Sequence, residues 1–175
     1  MTIVLGIDPS EKRTGLAVYD TLTRSVLASA VLPLEQALDV VRSGVVLPDD
    51  PVRIKPGLVA AQWSVVVVER FKSQGVINSD IIRGIEASGR LFEAARAGVK
   101  QVHWLYRLEV CRALHVSGRN KDSQIIDRCC ELHGGSRSAA RGRKAEPGPL
   151  YGVSGDAWQA LGAALAWLSV QTDDA

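Results

Sequence analysis

The run Ser64 to Val68, SVVVV, constrains the fold more than any other stretch of the chain. Successive side chains of a strand point to opposite faces, so consecutive valines make both faces apolar, and both need cover. A sheet with one face in water would show alternation instead. The chain therefore calls for a sheet with helices on both sides and this run in its interior. Thr2 to Asp8 reads as a second buried strand, and Pro9, Ser10, Glu11 and Lys12 as a turn. Gly15 to Tyr19 and Ser25 to Leu32 read as two more β segments, so the chain opens as an antiparallel meander.

Pro33 closes that run, and Leu34, Leu38 and Val41 share one face of a helix. A connector from Gly44 to Gly57 leads to the valine strand. Asn78 or Ser79 can cap a helix running to about Ala97, with Ile81, Ile82, Ile85, Leu91 and Phe92 as its core stripe. Gln101 to Leu105 suits an edge strand, and helices fit Arg107 to His115, Lys121 to His133 and Gly155 to Val170. Residues 134–150 are rich in Gly, Ser, Arg and Pro and read as a flexible basic loop without an apolar anchor. Strands followed by alternating strands and helices predict one α/β domain over residues 1–175, with a mixed central sheet.

Within 175 residues, hydrophobic types make up 46% and charged types 23%, as in globular domains. The formal net charge of +2 says little, but its distribution is uneven. Between Arg96 and Lys144 the basic residues far outnumber the acids, which are Glu109, Asp122, Asp127 and Glu131 only. That asymmetry suggests a polyanionic ligand, with a solvated basic face as the alternative. The N-terminus lacks a basic leader region, and no apolar run reaches membrane-spanning length. The 3 cysteines form no disulfide framework, which fits a reducing cytoplasm.

Three acids occupy informative places. Asp8 ends the first strand, Glu69 ends the valine strand, and Asp156 lies in the first turn of the last helix. Singly, each has an ordinary role available, as turn initiator, ion-pair partner of Arg70 or helix N-terminal acid. Jointly, acids at the ends of buried strands are costly unless something compensates their charge, and hard oxygen donors suit Mg²⁺ or Mn²⁺.

These residues carry a family resemblance. GIDPSEKRTGLAVYD, Gly6 to Asp20, resembles the first motif of RuvC-type Holliday-junction resolvases, and VVVVERF, Val65 to Phe71, resembles their second. GRNKDSQ, Gly118 to Gln124, resembles a segment with a basic residue near the active site, here Lys121. SGDAWQALGAALAW, Ser154 to Trp167, resembles the closing helix. The ordered set spans nearly the whole chain, and its divergence is more like phage-borne members. The resemblance implies an RNase H-like fold and a metal-dependent endonuclease that cuts branched DNA, four-way junctions and forks. Asp8, Glu69 and Asp156 would be metal ligands and catalytic residues, and Lys121 would offset charge at the phosphate. Two Mg²⁺ ions about 4 Å apart would activate water and stabilise the leaving oxygen, with Mn²⁺ as a substitute.

It further implies a homodimer paired through the helix Ser79 to Ala97, where Gly84, Ala87, Ser88 and Gly89 would admit a partner helix. DNA would be held by Arg119, Lys121, Arg137, Arg141, Arg143 and Lys144, in the cytoplasm of the cell or phage host. The family pattern has two metal-binding side chains three apart in the last motif, and here Asp156 stands alone. Either Val153 fills the first position or Gln159 the second. The Val153 alignment suits the helix better, with water, Gln159 or Ser154 filling the gap. Alternatives are a junction-binding protein without chemistry, a YqgF-type RNA-processing nuclease and, on fold grounds, an actin-like ATP-binding protein, for which a second phosphate loop is lacking. A separate zinc reading would place Cys111, His115, Cys129 and His133 around one ion.

Overall fold

The doubly covered sheet demanded by the valine run is present in the computed structural model, which describes residues 2–44, 63–70, 78–99, 101–117 and 122–173. Three antiparallel strands, β1 (Ile3–Asp8), β2 (Thr14–Asp20) and β3 (Ser25–Leu32), are followed by α1 (Leu34–Ser43). Then come β4 (Val65–Arg70), α2 (Ser79–Arg96), β5 (Gln101–Tyr106), α3 (Arg107–Ala113) and α4 (Asp122–Glu131). The described chain closes with α5 (Arg137–Arg141), the short strands β6 (Gly142–Arg143) and β7 (Glu146–Pro147), and α6 (Ala157–Asp173). The five-stranded sheet has the order β3-β2-β1-β4-β5, and β4 and β5 run parallel to β1.

Strand alternation sorts the two cores. Val65 and Val67 join Val4, Ala17 and Tyr19 in the layer under α3, α4 and α6. Val66 and Val68 join Leu5, Ile7, Leu16 and Val18 in the layer under α1 and α2. Asp8 and Glu69 continue the first series, so they emerge on the α6 side of the sheet.

α6 lies unusually close to that sheet because β1 and β2 carry glycine where it crosses. A Cβ on Gly6 would sit 1.9 Å from the Ala160 carbonyl oxygen, and one on Gly15 would sit 2.3 Å from that of Asp156. Gly15 pairs directly with Asp8 across β1 and β2. The close approach therefore delivers the start of α6 to the strand end bearing Asp8.

The structure departs from sequence expectation in three places. On α2 the buried face is Gly84, Ala87, Ser88, Leu91, Ala94 and Ala95, whereas Ile82 and Ile85 stand 46% and 45% exposed. The small residues of α2 are thus mostly consumed inside the chain, where close packing against α1 and β4 favours low volume over hydrophobicity. Residues 134–150, read as an unanchored loop, contain α5 and the β6–β7 hairpin, pinned by the fully buried Ala140 and Leu150. The Val26 N–H donates to the Pro149 carbonyl at 2.8 Å, so this segment covers the outer edge of β3. The last helix begins at Ala157 rather than Gly155, leaving Asp156 in the turn before it. The connector beyond Gly44, together with Phe71, Arg119 and Lys121, lies outside the described residues.

Candidate active site

Asp8 and Glu69 end neighbouring parallel strands. The register pairs Ile7 with Val68, so the two acids stand one residue further along on the same face. The turn after Asp8 is braced by Thr14, which is fully buried: its hydroxyl donates to the Ser10 carbonyl and accepts from the Ser10 N–H. Burial, then the adjacent Glu69, pushes the Asp8 carboxyl well above the usual aspartate range. Burial also raises Glu69, with Arg107 pulling the other way. Removal from water is the main cause at both carboxyls, and at Asp8 the negative neighbour Glu69 adds to it.

Arg107, the first residue of α3, reaches into the site from beyond the end of β5. Its Nη1 donates to Glu69 Oε2 at 3.4 Å and to Gln159 Oε1 at 2.8 Å, and its Nη2 donates to Asp122 Oδ1 at 2.6 Å. Burial alone would weaken the guanidinium's charge, but Glu69 and Asp122 outweigh it and raise its pKa. Asp156 is turned outward, accepting from Arg13 Nε at 2.9 Å.

Asp8 and Glu69 thus share a strand-end site with the start of α6, as the sequence suggests. Asp156 stands nearby on the same face but is paired away, and no three His, Cys, Asp or Glu side chains among the described residues are placed to hold an ion. The preferred alignment of the last motif is corrected. Val153 is fully buried in the core, whereas Gln159, three positions after Asp156, accepts from Arg107, which also donates to Glu69. Arg107 is not legible as a site residue, since nothing in the sequence ties it to Glu69 across 38 positions, and Asp122 shows only as the neighbour of Lys121 in the GRNKDSQ segment. Lys121 and Arg119 lie outside the described residues.

The donor set nevertheless fits a hard divalent cation. The half-buried Asp8 and the buried Glu69, both with raised carboxyls, provide oxygen ligands that a dication would hold in the ionised form. The third acid is held aside only by a surface pair whose arginine side chain is 65% exposed, and such pairs contribute about 0–1 kcal/mol. Exchanging Arg13 for a metal ion is therefore inexpensive.

A pH effect follows, with a definite sign. Carboxyls whose folded pKa is raised stabilise the fold below their unfolded pKa, and that stability is lost as pH rises through the folded value. In metal-free protein this contribution should fall from about pH 4 upward. Asp8→Asn should flatten the fall, as read by Tm against pH for both proteins. Identical profiles would show that Asp8 is not held under electrostatic strain.

The zinc arrangement does not form. His133 uses Nδ1 on the Cys129 carbonyl at 2.7 Å and Nε2 on the Tyr19 hydroxyl at 2.8 Å. Burial pushes the Cys129 thiol up to about 12, far from the thiolate that a metal requires.

A mixed sheet of this order, with acids at the ends of β1 and β4 and a closing helix laid across them, defines an α/β fold of the RNase H-like class. Among solved structures, the chain is similar to Thermus thermophilus RuvC in complex with a Holliday junction substrate, with 18% identity and a TM-score of 0.60 over 99% of this chain and 96% of that one. Thermus thermophilus RuvC in a second structure gives 18% identity and a TM-score of 0.53, over 98% and 96%. The yeast mitochondrial Holliday junction resolvase Ydc2 is more distant, at 14% identity and a TM-score of 0.48 over 97% and 78%. No family model matches the chain, and no curated protein matches it in sequence. At these identities the likeness is one of fold.

Proposed function

We propose that this protein is a divalent-metal-dependent endonuclease acting on branched DNA, of the kind that resolves Holliday junctions. The observation that carries this reading is the pair Asp8 and Glu69, side by side on the α6 face of a RuvC-like sheet, with both carboxyls raised chiefly by burial. Asp8 and Glu69 would hold Mg²⁺ or Mn²⁺, with Asp156 as third donor once released from Arg13. A bound ion of this class supplies an activated water and stabilises charge on the phosphoryl group. The two-ion form of such hydrolysis calls for a further acid three positions after Asp156, and Gln159 stands there instead. Lys121, just before α4 in sequence, remains the proposed phosphate-facing lysine, and Arg119 a proposed DNA contact.

The substrate reading is supported by the junction bound to the RuvC neighbour and by the basic segment that borders β3. Arg137 is paired with Asp127 at 2.7 Å, while Arg141, Arg143 and Lys144 have no ion-pair partner among the described residues. Replacing these three with Ala should weaken binding to every DNA form and lower the slope of log K against log salt by up to about 0.9 for each phosphate no longer neutralised. Adding Arg137→Ala should change the slope less. An unchanged slope would remove the segment from the interface.

A homodimer is part of the reading, because two symmetric cuts in a four-way junction need two sites. The exposed Ile82 and Ile85 on α2, rather than its small residues, are the apolar contacts available for it. The cytoplasm is the compartment such a reading implies. Binding and cleavage compared on a four-way junction, a fork, a linear duplex and a structured RNA test the substrate. Preference for branched DNA is expected, and preference for RNA would favour the RNA-processing alternative.

A further inference from the structure

We infer that Arg107 is a fixed counter-cation of this site, standing in for a second divalent ion and setting the stoichiometry at one metal per protomer. The inference rests on the metal-dependent reading above and deepens it. Arg107 is the group that joins the three elements around the acids. It reaches Glu69 at the end of β4, Gln159 on α6 and Asp122 at the start of α4. Its side chain is 31% exposed and Gln159 is 6% exposed, so the guanidinium and the amide meet in a half-buried place where charge is screened less than at the open surface.

The residue types agree with the position. Gln159 faces the site one helical turn beyond Asp156, where an acid would offer a second ion an ionised oxygen. An amide oxygen instead accepts a hydrogen bond from Arg107 and brings no charge. With Arg13 released to solvent, Arg107 and one dication leave the four acids Asp8, Glu69, Asp122 and Asp156 one positive charge short of balance. A second dication would leave positive excess beside a guanidinium that cannot lose its proton. The planar fork also orients Glu69 and Gln159 at once, which a lysine at this place would do poorly. Arg107 is thus a positioning residue, acting through Glu69 and through local charge.

Metal binding, read apart from cleavage, tests this. Mn²⁺ bound per protomer is measured on the full chain by calorimetry and by the electron paramagnetic resonance of free Mn²⁺. Wild type should bind one ion. Arg107→Gln should bind that ion about tenfold more tightly, because a repelling cation is gone, whereas a purely structural arginine would loosen it by disordering Glu69. Arg107→Gln combined with Gln159→Asp should bind two ions, whereas Arg107→Lys combined with Gln159→Asp, which keeps the cation, should remain at one. Two ions on wild type, or one on the Arg107→Gln double variant with native circular dichroism, would overturn the counter-cation while leaving the nuclease reading intact. No ion on wild type at millimolar Mn²⁺ would instead overturn the metal-dependent reading, and the inference with it.

Discussion

Glu69→Gln and Asp8→Asn should each reduce Mg²⁺-dependent cleavage of a four-way junction about 1000-fold or more while leaving junction binding nearly unchanged. The ion's charge stabilisation of a phosphoryl group amounts to several kcal/mol, and each 1.4 kcal/mol is about tenfold in rate. The DNA contacts proposed for the basic segment are made elsewhere and survive. The same changes should make metal-free protein more stable, because each removes a buried negative charge whose carboxyl is already pushed up. A gain of about 1 kcal/mol corresponds to roughly 3 °C in Tm for a chain of this size. Inactive variants that melt higher are the pattern of a site held under strain for function. Inactive variants that melt lower would make these acids structural.

The second large effect concerns the helix that completes the site. Gly6→Ala places a methyl 1.9 Å from the Ala160 carbonyl oxygen and 2.8 Å from its carbon, and both belong to helix backbone that cannot rotate away. α6 would have to lift from β1, opening the layer in which Ala160, Leu161, Ala163 and Ala164 are fully buried. Overpacking of this severity costs about 3 kcal/mol, the top of the usual range, and should lower Tm by roughly 6–12 °C. Gly15→Ala, at 2.3 Å from the Asp156 carbonyl oxygen, should also displace the turn carrying Asp156 and so reduce activity beyond its cost in stability. A Gly6→Ala protein that melts with wild type would show that α6 does not press on β1.

What is legible in the sequence follows from which signals are local. β1 and β4 announce themselves because unbroken β-branched or aliphatic runs must be covered on both sides, and the acids ending them are adjacent in sequence to that signal. The Asn78 cap of α2 is equally local, its side chain accepting from the Ile81 N–H at 2.9 Å. The buried face of α2 is not, because what fits between α1 and β4 is decided by volume, and Gly84 and Ala87 win over Ile82 and Ile85. Residues 134–150 hide their order for the same reason. Their anchors are one alanine, one leucine and one backbone hydrogen bond to β3, none of which shows in a count of polar residues.

The site divides in the same way. Asp8 and Glu69 are visible from strand ends, whereas Arg107 meets Gln159 only through the tertiary arrangement of β5, α3 and α6. The choice between Val153 and Gln159 turns on the helix start, and element ends are the least certain part of any sequence reading. Val153, ahead of the helix, is fully buried, while Gln159 lies within α6 and accepts from Arg107.

That Asp8 and Glu69 form a metal-dependent phosphodiesterase site for branched DNA is tested most directly by one titration. Mg²⁺ is added to wild-type protein and to Glu69→Gln with an end-labelled four-way junction, and binding and strand scission are read from the same samples. Both proteins should bind the junction without metal. Wild type should cut it as Mg²⁺ rises into the millimolar range, and Glu69→Gln should not. Junction binding by wild type with no scission at any Mg²⁺ or Mn²⁺ concentration, or equal scission by the two proteins, would contradict the assignment.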